Sequence, residues 1–281
     1  MKKEIDVHVT ERIIGLATEI EYGHRWDWCS SHYTPLKLSL LRPRRHFYYD
    51  PLTEVYPLLV FICGGGWTEM DRSVWIPELT WFAKHGYAVA SVDYSVTART
   101  RFPMQAEDVK AAIRYLRAHA EEFGINADKI VVMGESAGGY LSGLITLSGK
   151  HTEWDVGENL GVSSAVQGGV CYYPGVDMTK NPANDSPENR DPAKDFLPRD
   201  VGMYPALQNM VMPDSPPMMI LQGDADTQVH YSQAELLYEA LEKNGVRNEY
   251  YLIHGAEHAD AHFVQEEIKE MILKFADSIC K

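Results

Sequence analysis

One serine lies in a pattern that favours nucleophilic chemistry. Ser136 is the central residue of GESAG at 134–138, a match to G-x-S-x-G. The β-branched run IVV at 130–132 predicts a buried parallel strand before it, and residues 140–147 have a helical pattern after it. A serine in a tight turn between a strand and a helix projects its hydroxyl above the sheet, close to a helix N-terminus that favours negative charge. The alternative, an ordinary serine in a glycine-rich turn, is disfavoured by the flanking strand and helix.

Three successive glycines are a second feature with chemical potential. GGGW at 64–67 follows the apolar run LLVFIC at 58–63, which predicts a central strand. Glycine allows the backbone to turn several N–H groups toward one point, and stabilisation of an oxyanion needs such donors. The alternative is a flexible glycine loop. We favour the oxyanion interpretation because ligands of open α/β sheets bind at the carboxyl ends of the strands.

Acids and histidines follow two predicted strands near the C-terminus. The strand at 218–222 precedes two aspartates and the strand at 248–253 precedes three histidines, namely Asp224, Asp226, His254, His258 and His262. A serine hydroxyl is a weak nucleophile until a base takes its proton, so a histidine is the expected partner of Ser136. Histidines four residues apart on a helix can also bind a metal, but Gly255 and the preceding strand argue against that arrangement. We therefore predict no metal site.

The composition is typical of a globular protein with a large core. The 281 residues are 45% hydrophobic and 23% charged, with a net charge of -14. An acidic protein repels phosphate backbones, so we expect no nucleic-acid partner. The N-terminal segment lacks the apolar region of a signal peptide, and no apolar run is long enough for a membrane span. Four widely spaced cysteines without zinc spacing indicate reduced thiols in a cytoplasmic protein, namely Cys29, Cys63, Cys171 and Cys280. Because no apolar run is long enough for a span, we also expect no membrane partner.

Strands and helices alternate through most of the chain. This alternation predicts one α/β domain over residues 1–281, with a mostly parallel central sheet and helices on both faces. Further strands are predicted at 87–93 and 165–173, and further helices at 75–85, 105–123, 231–244 and 261–276.

The N-terminal region is less regular. Alternation at 5–9 indicates an edge strand or an arm. The aromatic and polar stretch at 22–33 is interpreted as a loop that either lines a pocket or lies on the surface. LKLSLL at 36–41 predicts a half-buried strand that ends at Pro43.

The stretch at 175–217 predicts a small inserted cap over the site. Its central part at 181–198 is rich in Pro, Asn and Asp, and long irregular stretches in compact domains are usually lids, binding loops or disordered segments. We expect Phe196, Met203 and Tyr204 to face the site. The alternative is a mobile surface loop without contact to the pocket.

With these residues in hand, the chain resembles the α/β-hydrolase superfamily over nearly its whole length. It is similar to esterases of the hormone-sensitive-lipase-like and acetylxylan/feruloyl-esterase-like groups. Six motifs in the family's order and spacing carry the resemblance, namely CGGGW at 63–67, VDY at 92–94, FPMQAEDVKAAIRYLR at 102–117, GESAGG at 134–139, GDADTQV at 223–229 and HGAEH at 254–258. Cys63 departs from the pattern, because a histidine usually steadies the glycine loop from this position. The resemblance thus implies that another group supports the loop.

The resemblance also implies a catalytic triad in the chain order Ser, Asp, His. Ser136 is the implied nucleophile, His258 is the base in the loop after the last strand, and Asp226 orients this histidine. Asp224 is then a turn or capping residue. The rival residues are Asp224, His230, His254 and His262.

The remaining implied site residues bind the substrate. Backbone N–H groups of Gly65, Gly66 and Ala137 are the implied oxyanion donors. Trp67 lines the acyl or leaving-group pocket in this interpretation, with simple packing as the alternative.

The activity that the resemblance implies is that of a serine carboxylesterase, which forms an acyl-enzyme and needs no cofactor. The expected substrate is a short-chain ester, acetyl above all, of a small molecule or a plant-derived oligosaccharide. A general carboxylesterase for small lipophilic or xenobiotic esters is the first alternative. An inactive hydrolase-fold protein that binds a ligand is the alternative from another class, and a homo-oligomer is left open.

Overall fold

The computed structural model of the protein describes residues 1–27, 30–49, 53–97, 100–182 and 201–281. Its strands are β1 (Ile13–Asp27), β2 (His32–Arg44), β3 (Tyr56–Ile62), β4 (Ala88–Val92), β5 (Ile125–Glu135), β6 (Gly168–Tyr172), β7 (Met218–Gly223) and β8 (Asn248–Ile253). Its helices are α1 (Ile76–Lys84), α2 (Met104–Ala118), α3 (Ala120–Phe123), α4 (Ala137–Leu147), α5 (Ser232–Lys243) and α6 (Glu266–Cys280).

The strands of the described residues form one eight-stranded sheet in the order β1-β2-β4-β3-β5-β6-β7-β8. β2 pairs antiparallel with β1 and β4, and every other neighbouring pair is parallel. The predicted mostly parallel sheet is therefore confirmed. Because parallel strands end at a common edge, the segments that follow β3, β5, β7 and β8 meet there, and these segments carry the predicted site residues.

Buried apolar residues cover both faces of the sheet. Along β3, Leu58, Val60 and Ile62 belong to one cluster, whereas Leu59 and Phe61 belong to the other. Helices α2, α4 and α5 pack on the first face, and α1 and α6 pack on the second. Coverage on both faces explains why the central strands are continuous apolar runs without polar alternation.

The N-terminal hairpin differs from the prediction. Residues 22–27 lie in β1, and β2 begins at His32, so the loop interpretation of 22–33 is wrong over most of this stretch. Trp26 pairs with Tyr33 across the two strands, and their ring centroids lie 5.2 Å apart in an edge-to-face contact. Such a cross-strand pair stabilises a strand that the local composition does not indicate.

The predicted end of the second strand at Pro43 is also wrong. β2 continues to Arg44, and Pro43 lies opposite Ile14 of β1. β4 pairs only with residues 38–41 of β2, so the proline removes no hydrogen bond between these two strands. Residues 5–9 form neither a strand nor a helix and are exposed, which fits the arm and not the edge strand.

The last helix begins later than predicted. Residues 261–264 form a single 3-10 turn, in which the side chain of Asp260 accepts the N–H of His262 at 2.6 Å. Gln265 is extended, and α6 starts at Glu266. Among the described residues, no helix has the length and apolar character that crossing a membrane would require.

Both ends of the predicted insertion are built into the body of the protein. Val176 and Leu207 are fully buried, and the N–H of Leu207 donates to the carbonyl of Val176 at 3.1 Å. The predicted cap residues at 183–200 lie outside the described residues. Within the described part of the segment, Val176 and Leu207 belong to the core, whereas Met203 and Met212 are exposed.

Candidate active site

Ser136 occupies a strained turn between β5 and α4. Its φ is 55° and its ψ is -118°, and its N–H donates to the carbonyl of Tyr172 at 3.0 Å. A Cβ on Gly134 would lie 2.4 Å from the carbonyl oxygen of Gly138, and a Cβ on Gly138 would lie 2.0 Å from that of Ile62. Both positions therefore require glycine, and the positive φ of the serine between them indicates a functional turn.

His258 connects Ser136 with Asp226. Its Nε2 lies 2.9 Å from Ser136 Oγ, and its Nδ1 lies 2.7 Å from Asp226 Oδ2. The side chains of His258 and Asp226 are 8% and 0% exposed. Asp226 Oδ1 accepts the backbone N–H groups of Gln228 and Val229 at 2.9 and 2.8 Å, which fixes the carboxylate. This arrangement can take a proton from the serine hydroxyl and stabilise the resulting imidazolium.

The rival residues have other partners. Asp224 Oδ2 lies 2.7 Å from Nδ1 of His254, whose side chain is 85% exposed. This hydrogen bond holds the pKa of Asp224 below its ordinary value. His230 and His262 bond to residues two positions away in the chain. The structure thus brings the three predicted triad residues together without their rivals, and within the described ranges no group of His, Cys, Asp or Glu could hold a metal ion.

The glycine loop after β3 has a left-handed backbone. The φ values are 127° at Gly65, 58° at Gly66 and 62° at Trp67. A Cβ on Gly65 would lie 2.1 Å from the carbonyl oxygen of Glu69. Among the described residues, the N–H groups of Gly65, Gly66 and Ala137 have no acceptor. These free donors lie at the same edge of the sheet as the triad, where they can bind an oxyanion.

Glu135 is a residue of the site that sequence reasoning misses. It is 8% exposed, and its carboxylate accepts the N–H of Gly64 and lies 3.7 Å from the Sγ of Cys63. Burial raises the pKa of Glu135, while the Gly64 hydrogen bond and the charge of His258 act in the opposite direction. The available signal is a charged residue at the end of a buried strand, in the variable position of G-x-S-x-G.

An aromatic cluster borders the glycine loop. Trp67 is 4% exposed, and its ring centroid lies 5.8 Å from that of Tyr140 in α4 and 5.4 Å from that of Tyr204. Trp67 therefore packs within the cluster, which was the alternative to direct contact with substrate. Tyr204 reaches the site from the predicted cap, whereas Met203 beside it is 57% exposed. Phe196 lies outside the described residues.

A cavity of about 520 Å³ lies between the N-terminal hairpin and the residues that follow the glycine loop. Its lining includes Arg25, Trp26, Thr34, Glu69, Met70 and Tyr94. Thr34 Oγ1 is buried and has no hydrogen-bond partner among the described residues. The hairpin residues 25–27 thus line a pocket, as one interpretation of 22–33 predicts.

Comparison with known proteins identifies the family. The sequence profile of the BD-FAE family matches residues 47–241, which is more than half of the chain. The chain belongs to the BD-FAE family.

Curated relatives of this BD-FAE chain are named esterases. Esterase LipC of Mycobacterium tuberculosis is 28% identical over 246 residues, which cover 76% of this chain and 60% of LipC. Esterase LipQ of the same organism is 29% identical over 213 residues, which cover 72% of this chain and 50% of LipQ. An acetyl esterase of Salmonella choleraesuis is 25% identical over 232 residues, which cover 76% of this chain and 68% of that protein. The BD-FAE chain thus spans between 50% and 60% of the two mycobacterial relatives.

Solved structures show that the BD-FAE chain has the α/β-hydrolase fold. A truncated carbohydrate esterase from gut microbiota has a TM-score of 0.76 at 22% identity, with 95% of this chain and 96% of that chain covered. The thermophilic esterase Est2 of Thermogutta terrifontis has a TM-score of 0.68 at 27% identity, with 87% and 86% covered. Est2 has also been solved with butyrate bound.

Proposed function

We propose that the chain is a serine carboxylesterase that forms an acyl-enzyme at Ser136. The observation that carries the proposal is the continuous hydrogen-bonded series from Ser136 Oγ through His258 to Asp226, with distances of 2.9 and 2.7 Å. Esterase names among the relatives and the family membership support the same reaction class.

In the proposed mechanism, Ser136 Oγ attacks the ester carbonyl carbon while His258 Nε2 takes the hydroxyl proton. Asp226 stabilises the imidazolium, and the N–H groups of the glycine loop and of Ala137 donate to the oxyanion. Each such donor contributes ~2.7–4 kcal/mol to transition-state stabilisation. His258 then returns the proton to the leaving alcohol, and a water activated by the same nitrogen hydrolyses the acyl-enzyme.

A short acyl group, acetyl above all, is the acyl part that we propose. The rings of Trp67, Tyr140 and Tyr204 pack against one another beside the glycine loop, and we propose that they limit the length of the acyl chain. The butyrate bound to Est2 and the acetyl esterase among the relatives support the same preference.

For the alcohol part, we propose an oligosaccharide. The cavity of about 520 Å³ beside the loop combines charged side chains with an unpartnered hydroxyl, so it suits a neutral group that carries many hydroxyls. The apolar part of its lining, Trp26 and Met70, is what favours the general carboxylesterase as the second candidate.

The test of the reaction uses short nitrophenyl esters with wild type, Ser136→Ala and Ser163→Ala. We expect an initial burst and a covalent Ser136 adduct by mass spectrometry in wild type, and loss of both in Ser136→Ala. Ser163 is exposed and is the matched control, so its variant should behave as wild type. Absence of hydrolysis by the intact protein would favour the ligand-binding alternative.

The test of the substrate compares acetyl, butyryl, octanoyl and feruloyl esters with acetylated xylo- and manno-oligosaccharides. Preference for octanoyl over acetyl contradicts the short-acyl proposal. Acetyl preference without activity on sugar esters favours the general carboxylesterase. In Thr34→Val, which removes the unpartnered hydroxyl, KM should rise for sugar esters and stay unchanged for nitrophenyl acetate.

A further inference from the structure

We propose that Glu135 is a positioning residue of the oxyanion site, whose buried carboxylate holds the Gly64 N–H and so fixes the orientation of the glycine loop. This inference rests on the proposed esterase function. Glu135 occupies the variable position of the serine motif. Its carboxylate would support the glycine loop, which begins at Cys63.

The geometry places the carboxylate directly against the loop. Glu135 ends β5, which pairs with β3 on one side and β6 on the other. Its Oε1 accepts the N–H of Gly64, the second residue after β3. A Cβ on Gly64 would lie 2.6 Å from both carboxylate oxygens, so this contact leaves no room for a side chain at position 64.

The carboxylate is otherwise unexplained. It is 8% exposed, and a buried carboxylate is costly unless donors surround it. The general base already has its own buried partner in Asp226, so Glu135 is not needed to orient His258. Its hydrogen-bond partners are the Gly64 N–H, the thiol of Cys63 and the side chain of Trp75, and the first two belong to the start of the glycine loop.

Contacts on either side restrict the loop and leave its central donors free. Before the glycines, the Tyr94 hydroxyl donates to the carbonyl of Cys63 at 2.9 Å. After them, the N–H of Thr97 donates to the carbonyl of Trp67 at 2.7 Å. Glu135 adds the hydrogen bond at Gly64, next to the two N–H groups that have no acceptor among the described residues. Loss of this bond frees the loop to rotate where the oxyanion donors begin.

The experiment compares Glu135→Ala and Glu135→Gln in kcat, KM and inhibition by butylboronic acid, a tetrahedral mimic. Glu135→Ala should lower kcat by about 10- to 100-fold with KM nearly unchanged, because oxyanion donors act mainly on the transition state. Its inhibition constant for the boronic acid should rise by a similar factor. Glu135→Gln keeps an oxygen that can accept the Gly64 N–H, so it should recover most of the loss.

Three outcomes contradict the inference. They are a kcat for Glu135→Ala within about twofold of wild type, equal loss in the Ala and Gln variants, or a change in KM alone. Near-ultraviolet circular dichroism checks that each variant is folded. If Glu135→Ala does not fold, kcat and the boronic acid inhibition constant of Glu135→Gln are compared with those of wild type instead. Ser136→Ala is assayed in parallel. If Ser136→Ala hydrolyses the ester as fast as wild type, the esterase proposal itself is wrong. If Ser136→Ala is inactive but Glu135→Ala has the kcat of wild type, only this inference is wrong.

Discussion

Two aspartates, two positions apart on the loop after β7, have different surroundings. Asp226 is buried against His258, whereas Asp224 pairs with the exposed His254. Asp226→Asn should lower kcat by about 10⁴-fold, because an amide in this position favours the wrong tautomer of the histidine and does not stabilise the imidazolium. Asp224→Asn is the matched control and should stay within about twofold of wild type. Steady-state kinetics on a short nitrophenyl ester measure both, and a larger effect at Asp224 would exclude Asp226 as the triad acid.

At this scale, the sequence predicts residues whose chemistry is carried by a motif. Ser136 is identified by the glycines that its turn requires. The places after the last two strands indicate a group of aspartates and histidines, and the choice of Asp226 and His258 within it is what the family resemblance implies. Glu135 cannot be assigned in this way, because its partner Gly64 lies 71 positions away in the chain. Only the pairing of β5 with β3 brings the two residues together.

At the scale of elements, the turn that carries Tyr204 closes one side of the aromatic cluster. The ring of Tyr204 lies 5.4 Å from Trp67, 5.8 Å from Tyr140 and 4.9 Å from Phe102. Tyr204→Ala should therefore open space beside the glycine loop and raise kcat/KM for octanoyl relative to acetyl esters, by about tenfold for a buried gap of this size. Met203→Ala is the control, since Met203 is 57% exposed, and equal selectivity in both variants would show that this turn is not part of the acyl site.

A second contact between elements holds the loop that carries Asp226, the proposed acid of the triad. Asn181, 2% exposed, donates to the carbonyl of Gln228 at 2.8 Å and accepts the N–H of His230 at 3.2 Å. Asn181→Ala leaves these backbone groups unsatisfied and should lower the free energy of unfolding by ~1–3 kcal/mol, with a fall in kcat as Asp226 loses its fixed position. Urea denaturation and kinetics measure the two effects. Asn126→Ala, at the start of β5 and remote from the loop, should alter neither kcat nor KM.

The elements differ in how well local pattern predicts them. β3 and β4 are buried apolar runs, β8 is a partly exposed run rich in residues that favour strands, and α2 has one apolar face. Within the hairpin of β1 and β2, Trp26 pairs with Tyr33, and the mixed aromatic and polar composition of residues 22–33 does not reveal this pairing. The start of α6 depends on the hydrogen bond at Asp260, which competes with a helix that composition favours from residue 261.

For the molecule as a whole, Glu135 links function to the pH dependence of stability. Burial raises the pKa of Glu135 above its ordinary value of 4.5, so the folded protein binds this proton more tightly than the unfolded chain. The contribution to stability is present below about pH 4.5 and is lost as the pH rises through the folded pKa. Compared with Glu135→Gln, wild type should therefore lose free energy of unfolding as the pH rises from about 4.5 through the raised pKa of the folded state.

Urea denaturation of both proteins across this range measures the difference. The other carboxylates contribute equally to the two stability curves, so their contribution cancels in the difference between wild type and Glu135→Gln. The difference is therefore not affected by the chain's net charge of -14. Parallel curves would show that the pKa of Glu135 does not differ between the folded and unfolded states. Curves that converge or cross would show that the Glu135 carboxylate lowers the free energy of unfolding at high pH. Such a cost is expected of a group that serves the site.

The buried cysteine at the start of the glycine loop determines how the protein responds to alkylating reagents. Cys63 is 5% exposed, and burial together with the charge of Glu135 raises its pKa to about 12. Alkylation requires the thiolate, so iodoacetamide at neutral pH should leave the activity of the native protein unchanged, although the thiol adjoins the loop for which we propose oxyanion binding. Labelling of Cys63 should begin only when the sheet opens. Mass-spectrometric detection of that label would therefore report unfolding of the sheet and could serve as a probe of its local stability.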